Sequence, residues 1–240
     1  VQRGCYVLGQ LILREGEYEA ALELLVDLGT NGTAHADLRA RAWIEVARVY
    51  EAAGEAGDAA QAFRKAVELA RDKKLNRRTG LELGRLLLNA GRLDEGLPLL
   101  KSLIADAPDD PLSAQYQLSL ASSLLSFGRA EAAAEEFQHY LEAYTNDLAE
   151  AHAGKGWSLM KMDRHAEAAG SFAKAYELFE NEARREQALF KMGDAYFAGG
   201  QYEQAAEVYR RVLDEFTDSR LAANARFQLA ESLARARELE

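Results

Sequence analysis

The chain has 240 residues, 48% of them apolar and 28% charged, which is enough apolar surface for a sizeable folded interior. A formal net charge of −10 makes it a poor partner for a phosphate backbone, and no apolar run approaches the roughly 18 residues of a membrane span. The single cysteine, Cys5, excludes an internal disulfide framework and reads as a buried helix residue. Arg3 and the lack of an apolar lead argue against a lipoprotein cleavage site at Gly4-Cys5.

Along the chain one pattern recurs six times, and its clearest copy comes last: Leu189-x-x-Met192-Gly193-x-x-Tyr196-x-x-x-Gly200-x-Tyr202-x-x-Ala205-x-x-x-Tyr209. The earlier copies, in order, are Leu8-Gly9/Gly16/Ala21/Leu25, Val46-Ala47/Gly54/Ala59/Phe63, Leu83-Gly84/Gly91/Gly96/Leu100, Leu120-Ala121/Gly128/Ala133/Phe137 and Lys155-Gly156/Asp163/Ala168/Phe172. Positions 16, 54, 91, 128, 163 and 200 mark the turn between two helices, so the period is 35 to 38 residues. A repeat of that length with two helices per unit predicts a stacked all-α solenoid. The two small positions let paired helices approach to the roughly 8–10 Å that close packing needs. The units fall near 2–38, 40–75, 77–112, 114–147, 149–184 and 186–219, and a terminal helix over 220–239 is read as a cap. No stretch alternates long enough to predict a sheet.

Local features fit between these units. Asn31-Gly32-Thr33 reads as a turn rather than a glycan site. The basic run Arg71-Asp-Lys-Lys-Leu-Asn-Arg-Arg78 reads as a solvated connection whose cations complement a helix C-terminus. Asp106-Ala-Pro-Asp-Asp-Pro111 separates the third and fourth units. Lys155 stands where the other units have an apolar residue and marks a looser fifth unit. The chain opens on Val1 and stops inside what reads as a seventh first helix, so it is taken as a segment of a longer protein.

Catalytic patterns are missing from the sequence. The four histidines, 35, 139, 152 and 165, lack the i, i+4 spacing of a helical zinc site, and there is no Cys-x-x-Cys, phosphate loop or serine elbow. His165 is read as a packing residue. Glu135-Glu136 and Asp109-Asp110 read as solvated helix faces. No enzyme activity, cofactor or metal is expected.

The six copies resemble the tetratricopeptide repeat, over nearly the whole chain. That resemblance implies a right-handed superhelix whose first helices line a concave groove, and it implies a non-catalytic scaffold that binds a protein or peptide there. The groove positions carry Arg3, Tyr6, Arg14, Arg41, Ile44, Arg48, Arg78, Leu81 and Arg85 in the first three units, and Trp157, Met160, Phe190, Phe197 and Phe227 farther on. An arginine-rich end and an aromatic end would suit a partner with acidic and apolar anchors. A second reading of the arginines stays open, in which they pair with Glu45, Glu51 and Glu82. The aromatics, likewise, could belong to the packing between units. Tyr6, Gln10 and Glu45 stand at places where chaperone-binding members need lysine and asparagine, so a carboxylate clamp of that type is not expected. Long spacing together with residues 214–231 is similar to bacterial envelope members of the BamD and YbgF (CpoB) type, although those carry proline where Thr217 stands. The envelope resemblance implies a periplasmic or envelope location, with the cytoplasm left open. An interaction scaffold, a regulatory or oligomerising arm of a larger enzyme or secretion component, and self-association through a terminal helix are the functions compatible with these features.

Overall fold

A computed structural model describes residues 2–216 and 219–238; Thr217 lies outside them, and so does the last residue of the expected terminal helix. Among the described residues there are thirteen α-helices and no strands. They are α1 (Gln2–Arg14), α2 (Tyr18–Thr30), α3 (Ala36–Ala52), α4 (Ala56–Leu69), α5 (Lys73–Asn89), α6 (Leu93–Ala105), α7 (Pro111–Ser126), α8 (Ala130–Ala143), α9 (Leu148–Lys161), α10 (His165–Leu178), α11 (Glu182–Ala198), α12 (Tyr202–Glu215) and α13 (Ala222–Glu238). Six successive pairs followed by a last helix are what the repeated pattern demands.

Each turn inside a pair reverses the chain at one left-handed residue. Gly16, Gly54, Gly91, Gly128 and Gly200 have φ between 73° and 84°, and Asp163 takes the same role at 57°. Glycine enters this region at no steric cost, whereas a Cβ is penalised there. Between pairs, polar side chains close the helix starts. Asp72 Oδ1 accepts from Leu75 N at 2.7 Å at the head of α5, and Asn181 Oδ1 accepts from Arg184 N at 3.1 Å at the head of α11. Pro111 opens α7 at the first helical position, where a missing N–H costs nothing. Asn31 Oδ1 accepts from Thr33 N at 3.0 Å, so the Asn31-Gly32-Thr33 segment is the turn its composition predicts.

The chain divides into two compact units, Val1–Tyr116 and Gln117–Glu240. In the first, each of α1 to α6 packs on the next, and in addition α1 touches α3 and α3 touches α5. Leu25, Trp43, Phe63 and Leu83 form a continuous interior, with Cys5 partly buried against it. In the second, α8 to α13 pack in sequence. Their interior runs from Leu159, Phe172 and Ala195 to Leu189, Tyr209 and Val212. Burial is thus distributed over neighbour interfaces, as expected of a solenoid.

Polar ties roughly one period apart fasten successive repeats. Asp37 Oδ1 on α3 accepts from Arg71 N at 2.6 Å and Asp72 N at 3.1 Å, and these two bonds hold its carboxyl below the usual range. Arg77 on α5 is the hub of another tie. Its guanidinium donates to Asp110 Oδ2 at 2.6 Å, Ser113 Oγ at 2.5 Å, Leu103 O at 3.2 Å and Ala107 O at 3.3 Å. Arg184 with Glu150, and Ser219 with Glu186, repeat the device in the second unit.

The basic run departs from its expected structure. Residues 73–78 lie inside α5, and Lys73 and Lys74 occupy its first turn, the end of the dipole that cations do not favour. Leu75 packs partly buried against the interior that includes Phe63 and Ala66, and Asn76 Nδ2 donates to Val67 O at 2.7 Å, which ties this helix start to α4. Lys155 is partly buried on α9 and donates to Gln138 Oε1 on α8 at 2.6 Å, so its ammonium is satisfied where the other units pack an apolar side chain. His165, at the head of α10, packs beside Gly199 with Nδ1 buried and without a hydrogen-bond partner among the described residues.

Candidate functional site

The first unit presents two adjoining clefts along α1, α3 and α5. One, of about 180 Å³, is lined by Tyr6, Arg41, Ile44, Glu45, Arg48, Phe63, Leu75, Arg78, Thr79 and Glu82. The other, of about 700 Å³, is lined by Gln2, Arg3, Tyr6, Val7, His35, Asp37, Leu38 and Arg41. Tyr6 and Arg41 belong to both, so Arg3, Arg41 and Arg78 border one connected depression. Leu81 is fully buried, and Arg14, exposed at the end of α1, lines neither cleft.

The glutamates of this surface are already engaged. Glu45 Oε1 accepts from Tyr6 Oη and from Gln10 Nε2, each at 3.0 Å, while its Oε2 lies 3.4 Å from Arg48 Nη1. Arg85 Nη2 reaches Glu51 Oε1 at 2.7 Å and Glu82 Oε2 at 3.3 Å. Glu82 also accepts from the Tyr116 hydroxyl. Arg48 and Arg85 therefore follow the pairing alternative. Arg3, Arg41 and Arg78 are exposed and make no ion pair among the described residues. Burial, the Glu45 charge and its hydrogen bond push the Tyr6 phenol from 10.0 up to about 12. The tyrosine is a neutral donor that fixes Glu45.

In the second unit the aromatics divide. Trp157 on α9 is 37% exposed, meets Phe172 edge-on at 5.7 Å, and has Lys191 Nζ 5.0 Å above its ring. It borders a cleft of about 270 Å³ together with Ser122, Glu150, Ala153, Phe179, Gln187 and Lys191. Phe190 is buried beneath this surface against Tyr209, with ring centroids 5.4 Å apart. Met160 and Phe197 are partly buried, the latter against Tyr202 at 5.3 Å. Phe227 on α13 is 67% exposed and Leu233 is 40% exposed, so α13 keeps apolar side chains on its surface.

The Tyr6–Gln10–Glu45 network is the part of the site that sequence reasoning missed. The 38- and 37-residue steps from Arg3 to Arg41 to Arg78 were the available signal, because equal positions in successive first helices share a face.

Helix pairs with left-handed turns, small-against-large packing and clefts along the first helices define a helical-repeat interaction scaffold. Family models described as tetratricopeptide repeat match residues 40–73, 81–147 and 187–219, and the chain belongs to that family. No curated protein matches it. Among solved structures, the C-terminal part of a tetratricopeptide repeat-containing protein from Cytophaga hutchinsonii is similar with a TM-score of 0.70 at 15% identity, over 95% of this chain and 84% of that one. A MamA fragment from Desulfovibrio magneticus has a TM-score of 0.59 at 22% identity, over 74% and 94%. Another MamA structure gives 0.59 at 20%, over 73% and 90%. These likenesses establish the fold. Among the described residues no helix is long and apolar enough to cross a membrane.

Proposed function

We propose that the protein is a non-catalytic scaffold whose first unit captures an acidic segment of a partner protein in the clefts along α1, α3 and α5. The observation that carries this reading is that Arg41 and Arg78 share a cleft without an ion pair among the described residues, while Glu45 and Glu82 are occupied by Tyr6, Gln10, Arg48, Tyr116 and Arg85. Arginine recognises carboxylates bidentately, and cations not already neutralised are the ones available for the task. In the second unit, Trp157 supplies an apolar anchor flanked by Lys191, suited to an aromatic or aliphatic side chain. A bacterial envelope assembly is the setting in which we place the scaffold, on the similarity of residues 214–231.

Selection of random twelve-residue peptides on the immobilised protein tests the reading. The selected pool is expected to be rich in Asp and Glu, and that enrichment should vanish on an Arg41→Gln/Arg78→Gln bait. A pool without acidic excess would contradict it.

An oligomerising arm is the alternative, and α1 favours it: Leu8 and Leu11, which line neither cleft, are each about half exposed. Leu8→Glu/Leu11→Glu should then lower the sedimentation-derived mass of the wild-type chain. An unchanged monomer in both would discard the arm reading.

A further inference from the structure

We infer that the first unit reads spacing as well as charge, and that its preferred ligand is an extended, polyproline-type segment with a carboxylate at every third residue. The inference rests on the acidic-segment reading above and adds the ligand's geometry. Arg41-x-x-x-Glu45-x-x-Arg48 on α3 recurs, 37 residues on, as Arg78-x-x-x-Glu82-x-x-Arg85 on α5, and Arg3 stands 38 residues before Arg41. In each copy the last arginine and the glutamate are consumed within the protein, Arg48 by Glu45 and Arg85 by Glu51 and Glu82. The leading arginines form the row that is left.

The pitch of that row follows from the packing. Because α1 touches α3 and α3 touches α5, successive arginines are set apart by the interaxial distance of packed helices, about 8–10 Å. A polyproline II segment turns once every three residues with a rise of about 3.1 Å each, so its i, i+3 and i+6 side chains line one face about 9 Å apart. A β-strand brings same-face side chains about 7 Å apart, too short for the row. An α-helix brings its i, i+7 side chains about 10.5 Å apart, just beyond the row, and is the competing form that the peptides below separate. The apolar floor formed by Ile44, Phe63 and Leu75 between Arg41 and Arg78 gives the ring of an intervening proline a surface to rest on.

Three peptides of equal charge decide the matter when titrated by fluorescence anisotropy against the protein. One carries Glu at i, i+3 and i+6 separated by prolines, a second clusters the same three Glu at one end, and a third is an alanine-based helix with Glu at i, i+7 and i+14. The phased polyproline peptide should bind about tenfold tighter than the clustered one, and Arg3→Gln, Arg41→Gln and Arg78→Gln should each remove most of that advantage. Equal binding of phased and clustered peptides would overturn the spacing claim while leaving the acidic-segment reading intact. Preference for the helical peptide would overturn the extended form. Binding of none of the three would bring down both readings.

Discussion

Tyr209 lies flat against Gly193: a Cβ at Gly193 would come within 2.8 Å of Tyr209 Cε1, and the phenol donates to Asp194 Oδ1 at 2.7 Å. Gly9 with Leu25, Gly84 with Leu100 and Gly156 with Phe172 repeat the relationship, with added Cβ atoms 2.5–2.9 Å from the facing side chain. In these four units the small position of the first helix is thus the seat of the large residue of the second. Burial, reinforced by the Asp194 hydrogen bond and charge, holds the Tyr209 phenol far above its ordinary value.

Filling the seat should unpack the repeat. Gly193→Leu is expected to cost about 1–3 kcal/mol in urea unfolding through overpacking. Gly170 on α10 has open space around its Cβ position, so Gly170→Ala should instead add about 0.5–1 kcal/mol by removing helix glycine entropy. Equal effects at the two positions would contradict the packing account.

Asp163 is the exception among the turn residues, an exposed side chain at a φ of 57° where five units have glycine. Asp163→Gly should raise the unfolding midpoint, by about 0.5–1 kcal/mol of stability, because the left-handed penalty disappears. Asp163→Val should lower it. Thermal denaturation of the two variants checks both signs.

The Arg77 tie predicts a large effect from a surface-looking residue. Its side chain is 15% exposed and binds four oxygens across α5, α6 and the start of α7. Arg77→Ala is expected to cost about 2–4 kcal/mol, since Asp110 Oδ2 loses its ion pair and the Leu103 carbonyl and Ser113 hydroxyl each lose a bond, while Ala107 O keeps Ser113 Oγ and Asp110 N. Arg71→Ala should change stability by less than about 0.5 kcal/mol, because the Asp37 tie uses only its backbone N–H.

Much of this was legible in the residues. Gly16, Gly54, Gly91, Gly128, Asp163 and Gly200 announce the turns, since a left-handed reversal must recur at the same place in every unit. The Gly193–Tyr209 type of pairing was legible for the same reason. Which arginines are free was not, because Arg48 and Arg41 are spaced alike for the groove and only the rotation of α1 against α3 brings Tyr6 and Gln10 onto Glu45. Phe190 and Trp157 were equally indistinguishable: both hold nominal groove positions, yet Phe190 falls over Tyr209 and Trp157 leans on the edge of Phe172. The start of α5 within the basic run was hidden because its charge outweighs the apolar signal of Leu75.

Tyr6 supplies a pH signature for the site. Its phenol titrates at about 12 in the folded chain against 10.0 unfolded, so the folded state holds the proton more tightly between those values. The contribution to stability is therefore complete below pH 10 and is lost as the pH rises from 10 to 12. Tyr6→Phe should make the decline over that window less steep, since Tyr116, Tyr140 and Tyr209, also raised, keep their share. An equally steep decline in the variant would place its origin in other tyrosines, such as Tyr140, whose phenol burial also raises to about 12.

The most direct test of the account compares two double variants against one acidic peptide by calorimetric titration at low and moderate salt. Arg41→Gln/Arg78→Gln removes the two cleft arginines that make no ion pair, and Arg48→Gln/Arg85→Gln removes two that are already paired. The account predicts that the first variant loses binding by about a hundredfold, together with most of its salt dependence, while the second stays within about threefold of wild type. Equal losses in both, or a loss confined to the second, would contradict it.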